Sequence, residues 1–170
     1  MKPKYTLCID PGSNIGWAVY NGTKLTDYGL IDGGKHEALY NRINYIEDQI
    51  SALISKWTPV RLIIEGITAI SQPSKAANFW LNYTFGFCTS TASRAKIPIE
   101  EINPASLKKH LRASGVVSRE SHPEAYGKNG QINKVGVVHI VNTHLGLGLK
   151  KKDHNIADAI ALGLVGLGVL

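Results

Sequence analysis

Apolar positions along the chain change period several times, and each change marks an element. Tyr5-Thr6-Leu7-Cys8-Ile9 is a short apolar run ending at Asp10 and the turn residues Pro11-Gly12-Ser13-Asn14, which predicts a buried strand over 5–10. A second strand is expected at 15–21. Asn21-Gly22 is a strong hairpin signal, so 24–31 becomes the third strand of a meander closed by Gly33-Gly34. The period then lengthens. Leu39, Ile43, Ile46, Ile50, Leu53 and Trp57 recur every three or four residues, the stripe of an amphipathic helix. Pro59 follows its end, and 60–65 reads as an inner strand.

Residues 74–95 predict a helix that is apolar on more than one face, with Phe79, Trp80, Leu81, Tyr83, Phe85 and Phe87. A short strand around Pro98 runs from Ile97 to Ile102. Asn103-Pro104 opens a third helix, with Pro104 in the first turn and Gly115 at the end. Residues 116–131 lack any period and predict an exposed, mobile loop. Helices follow from about Asn133 to Asn142 and, after Lys150-Lys151-Lys152, to the C-terminus, with Asp153 a candidate N-cap.

Tightly joined strands are antiparallel, whereas strands reached through helices are parallel. The expectation is an α/β fold: one domain over 1–170, a mixed five-stranded sheet with three antiparallel strands followed by parallel ones, and helices on both faces. Asp10 and Glu65 then fall near the carboxyl ends of neighbouring strands, where open α/β sheets place their sites.

Three acids stand out against this pattern. Asp10 ends one apolar run, Glu65 ends Leu62-Ile63-Ile64, and Asp158 interrupts Ile156-Ala157-Asp158-Ala159-Ile160. An unpaired buried charge is costly, so such acids call for a partner, and a divalent cation is the simplest. Carboxylates rather than His and Cys suit hard cations. Each acid alone has a plain alternative. Asp before Pro-Gly is a common turn, and Glu65 fits a solvated strand end. His110, His122, His139 and His144 share no metal-ligand spacing.

Charge shifts the picture further. The formal net charge is +6 and the pI about 9.3, which makes a polyanion a plausible partner. Cys8 and Cys88 form no disulfide framework and fit core thiols of a reducing compartment. No signal-peptide stretch and no membrane span is read in the chain, so a cytoplasmic protein is expected. Sugar kinases and Hsp70-like ATPases also open with an acidic Gly-rich hairpin. They need a second such hairpin in a second domain, for which 170 residues leave no room.

Taken in order, Ile9-Asp10-Pro11-Gly12-Ser13 with Gly16, Ile64-Glu65-Gly66, Asn103-Pro104-Ala105-Ser106-Leu107-Lys108 with Gly115, and Ala157-Asp158-Ala159-Ile160-Ala161 resemble the RuvC-type Holliday junction resolvases of the RNase H-like superfamily, phage-type members included. The resemblance spans nearly the whole chain. It implies an Mg²⁺-dependent endodeoxyribonuclease, with Mn²⁺ able to substitute, acting on four-way DNA junctions in a prokaryotic cell or phage-infected host. It implies two ions about 4 Å apart, bridged by Asp10, that activate a water and stabilise the leaving 3′ oxygen. Glu65 and Asp158 complete the acid set. The family commonly has Asp or His three residues before the last acid. This chain has Asn155, so Asn155, His154 and Asp153 compete for the fourth ligand position.

Lys134 matches a lysine near the scissile phosphate. Lys108 matches one that contacts DNA, with Lys109, Arg112 and Arg119 as further contacts. A solvated surface lysine is the plain alternative for each. Two symmetric nicks imply a homodimer, with Phe79, Trp80 and Tyr83 as candidate anchors. An apolar residue of the 66–75 loop (Ile67, Ile70 or Pro73) is a candidate wedge at the junction centre. Competing readings are a broader debranching nuclease, an RNase H acting on hybrids, and a junction binder that does not cut.

Overall fold

The computed structural model describes residues 4–35, 38–67 and 74–170. Strand β1 (Tyr5–Asp10) lies at the centre of a five-stranded sheet ordered β3-β2-β1-β4-β5. β2 (Asn14–Asn21) and β3 (Lys24–Asp32) pair antiparallel as the meander predicted. β4 (Arg61–Glu65) and β5 (Ile99–Ile102) add on parallel to β1.

Side chains alternate across this sheet with period two, so the inner strands β1, β2 and β4 each feed two cores. Leu7, Ile9, Ile15, Val19, Leu62 and Ile64 meet helix α1 (Leu39–Trp57) and helix α2 (Lys75–Arg94) through Ile46, Ile50, Trp80 and Cys88. On the opposite face, Cys8, Ala18, Tyr20 and Ile63 meet helices α3 (Pro104–Ala113), α4 (Lys134–Leu145) and α5 (His154–Gly166). The runs of β1 and β4 lack polar alternation because both faces are covered, whereas edge strand β3 alternates between exposed and partly buried positions.

Helix α5 lies close against the sheet because small residues on both sides allow it. The Tyr20 ring occupies the space that a Cβ on Gly163 would need, and the Tyr20 hydroxyl donates to the Ile160 carbonyl at 2.7 Å. A Cβ on Gly16 of β2 would come within 1.8 Å of the Asn155 carbonyl oxygen. Gly16 therefore lets the first turn of α5 touch the strand that pairs with Asp10.

Three expectations change. Residues 116–131 are held rather than free. Val117 and Ala125 are buried, Tyr126 donates to the Val117 carbonyl at 2.9 Å, and Tyr126 bridges to Ile132. The segment lacks a period because turns and one short 3-10 helix, Pro123–Ala125, satisfy its backbone. Helix α4 continues past Asn142 to Leu145, where Gly146 caps it with φ 66°. Asp153 does not cap α5 with its side chain; its carboxylate accepts from the Lys150 N–H at 2.8 Å. Of the wedge candidates, Ile67 is exposed, and Ile70 and Pro73 lie outside the described residues.

Candidate active site

The register of β1 against β4 pairs Ile9 with Ile64. The next residues, Asp10 and Glu65, thus stand side by side at the carboxyl ends of adjacent parallel strands. Asp158 arrives from the second turn of α5, whose approach Gly16 permits. All three line one cavity of about 670 Å³, together with Lys108 of α3 and Lys134 at the start of α4.

Electrostatics tie these groups together. Asp10 is 8% exposed. Burial, then the negative charges of Asp158 and Glu65 and a side-chain hydrogen bond shared with Glu65, push its carboxyl well above the usual range; Lys134 opposes them. Asp158 is pushed up to about 7 by burial and then by Glu65, against Lys134 and Lys108. Acids forced together from three elements, with two cations facing them, make a site whose charge is balanced only in part.

Among the described residues, no three His, Cys, Asp or Glu side chains form a ready cage for one ion. The donor set still fits a hard divalent cation. Mg²⁺ characteristically takes one or two carboxylates and completes its shell with water and substrate phosphate. The cavity supplies oxygen donors and crowded negative charge that a cation relieves.

Asn155 and His154 also line this cavity, in the first turn of α5. Asp153 does not line it; it is engaged with Lys150. Lys109 lies apart, in a neighbouring cavity of about 150 Å³ lined also by Lys108 and Arg112. Arg119 sits 5.9 Å from the Tyr126 ring and does not line the cavity that holds the acids.

Sequence reasoning missed the far wall. Gly127, Asn129 and Gln131 line the cavity from the segment expected to be free, and Asn133 lines it from the cap of α4. Asn133 shows why they are there. Its Oδ1 accepts from Val135 and Gly136 at the start of α4, and its Nδ2 donates to the Glu124 carbonyl. The same residue thereby joins the strap to the helix that carries Lys134. An Asn placed just before an apolar helix was the available cue.

The dimer expectation is changed in one residue. Trp80 is 8% exposed and stacked under Arg42 at 4.0 Å, so it belongs to the core of this chain rather than to a free anchor. Phe79 is 45% exposed and stacks on Tyr83.

Comparison with known proteins agrees with this architecture. Residues 6–166 match the family model described as crossover junction endodeoxyribonuclease RuvC. A crossover junction endodeoxyribonuclease RuvC of Synechocystis is 30% identical over 167 residues, spanning 95% of this chain and 89% of that protein. One from Chloroherpeton thalassium is 26% identical over 95% of this chain and 80% of its own length. Among solved structures, T. thermophilus RuvC in complex with a Holliday junction substrate is similar, with a TM-score of 0.68 and 19% identity over 95% of this chain and 91% of that one. The yeast mitochondrial Holliday junction resolvase Ydc2 has a TM-score of 0.56 at 12% identity, over 98% and 80% of the two chains. The meander with two added parallel strands, the two helical layers and the acids gathered at the strand ends therefore belong to a member of the RuvC family of crossover junction endodeoxyribonucleases.

Proposed function

We propose that this protein resolves four-way DNA junctions as a divalent-metal-dependent endonuclease, making paired symmetric nicks as a homodimer. The observation that carries this reading is the convergence of Asp10, Glu65 and Asp158 on one cavity that also holds Lys134 and Lys108. Asp10, Glu65 and Asp158 are the proposed ligands for Mg²⁺ or Mn²⁺, with Asn155 supplying an uncharged carbonyl oxygen beside them. Bound there, the ions supply Lewis acidity at the phosphodiester and an activated water.

The chain's own groups do the rest. Lys134 and Lys108 attract and orient the phosphodiester, and the negative charge that grows on phosphate oxygens faces their ammonium groups. Lys109 and Arg112 extend this cationic surface along the DNA backbone. Such contacts give salt-dependent affinity without sequence reading. Exposed Phe79, stacked on Tyr83, suits the two-fold contact that symmetric nicks require.

The test is cleavage of a labelled junction beside a matching linear duplex, with and without Mg²⁺, using the native chain and Asp10→Asn. Paired symmetric nicks in the junction alone, lost in the variant while binding is kept, are the expected result. Binding without nicks in either Mg²⁺ or Mn²⁺ assigns the chain to structural recognition. Equal cutting of the duplex assigns it a broader nuclease activity.

A further inference from the structure

Five carboxamide side chains line the catalytic cavity: Asn14, Asn129, Gln131, Asn133 and Asn155. Most are committed. The Asn14 amide donates to the Ser13 carbonyl and the Asp32 carboxylate, at 3.0 and 3.2 Å. Asn129 accepts from the Gln131 N–H at 3.2 Å. Asn133 caps α4 and donates to Glu124. Asn155 stands one helical turn before Asp158, beside the proposed metal ligands.

Gln131 differs in where it stands, on the lining of two cavities. Its side chain is exposed, and its amide makes no hydrogen bond to the described residues, as is also true of the Asn155 amide. Its backbone, by contrast, is pinned. The N–H is held by Asn129, the carbonyl accepts from the Gly127 N–H at 2.8 Å, and the next residue, Ile132, is buried and bridged to Tyr126. A fixed backbone thus presents an uncommitted amide.

Its position matters as much as its freedom. Gln131 lines both the catalytic cavity and the neighbouring cavity that holds Lys109 and Arg112, and Lys108 lies on the same boundary. The charged groups on either side bind phosphate and are blind to bases. A carboxamide offers a donor and an acceptor side by side, which matches one base edge better than the others; adenine N6 and N7 are its usual partners. On the nuclease reading, a strand whose phosphates lie over Lys134, Lys108 and Lys109 would carry a base past Gln131.

Resting on the nuclease reading of the same cavity, we infer that Gln131 reads the base beside the cleaved phosphodiester and sets a sequence preference for cutting. The native chain, Gln131→Ala and Gln131→Glu are compared on four-way junctions that differ only in the bases flanking the cut. Single-turnover cleavage rates and binding are measured for each junction. The native chain is expected to favour one base at one flanking position by at least about fivefold. Gln131→Ala flattens that position alone, lowering the rate on the favoured base toward the rates on the others. Gln131→Glu shifts the preference toward cytosine, whose amino group donates to a carboxylate. A native profile without preference overturns the inference, as does an alanine profile parallel to native. A uniform loss on every sequence also overturns it, since that marks a phosphate contact or a loop-folding role. A native chain that cuts no junction overturns the nuclease reading itself and takes this inference with it.

Discussion

Gly16 faces Asp10 in the β1–β2 register and supports the Asn155 carbonyl of α5. Any side chain there meets backbone, which cannot swing aside. Gly16→Ala is therefore expected to lower stability by about 1–3 kcal/mol and to slow cleavage more than it weakens junction binding, because α5 and Asp158 must back away. Denaturant unfolding together with rates at saturating DNA checks this; a variant of native stability and rate shows that α5 relaxes freely. At this scale the sequence was partly legible. Asp10, Glu65 and Asp158 announce themselves because each ends or interrupts an apolar run. Gln131 does not, because its significance lies in backbone bonds to Asn129 and Gly127 that no period encodes.

Among the elements, α2 is tied to the turn that follows Asp10 by one arginine. Arg42 of α1 lies over the Trp80 ring of α2 at 4.0 Å and donates to the Ser13 carbonyl at 3.1 Å. Gly33 leaves room for this bridge, since a Cβ there would crowd both the Ser13 carbonyl and Arg42. Arg42→Met is expected to cost about 1 kcal/mol of stability and to share most of that loss with Trp80→Leu in a double-mutant cycle. Strictly additive losses indicate that the stacking carries no energy. This bridge explains the error over Trp80. Periodicity shows that a helix has two apolar faces, but not which face its own sheet covers. The strands, by contrast, were readable almost to the residue, because turn chemistry at Asn21-Gly22 and runs such as Leu62-Ile63-Ile64 leave little choice.

For the molecule as a whole, the acid cluster opposes folding unless a cation joins it. Asp158 has an ordinary value of 3.8 and is pushed to about 7, and Asp10 is raised well above its own 3.8. Carboxyls raised by folding contribute stability that is fully present below about pH 4. That contribution is lost as the pH rises through the folded values. The metal-free protein is expected to lose thermal stability between about pH 4 and 7, with a shallower slope in Asp158→Asn and with Mg²⁺ present. Melting curves across this range decide it; equal slopes in native protein and variant show that the cluster does not govern the pH response.

The bond from Tyr20 to Ile160 spans 140 positions of the chain. Contacts this remote cost more loop-closure entropy than local ones. They also require α5 to have left the ribosome, and α5 brings the last acid with it. A growing or truncated chain can hold Asp10 and Glu65 while the face of the sheet awaiting α5 is bare. Such a chain has the lysines proposed to contact DNA but lacks one of the three proposed metal ligands, so the proposed cutting chemistry waits until α5 has docked on the sheet.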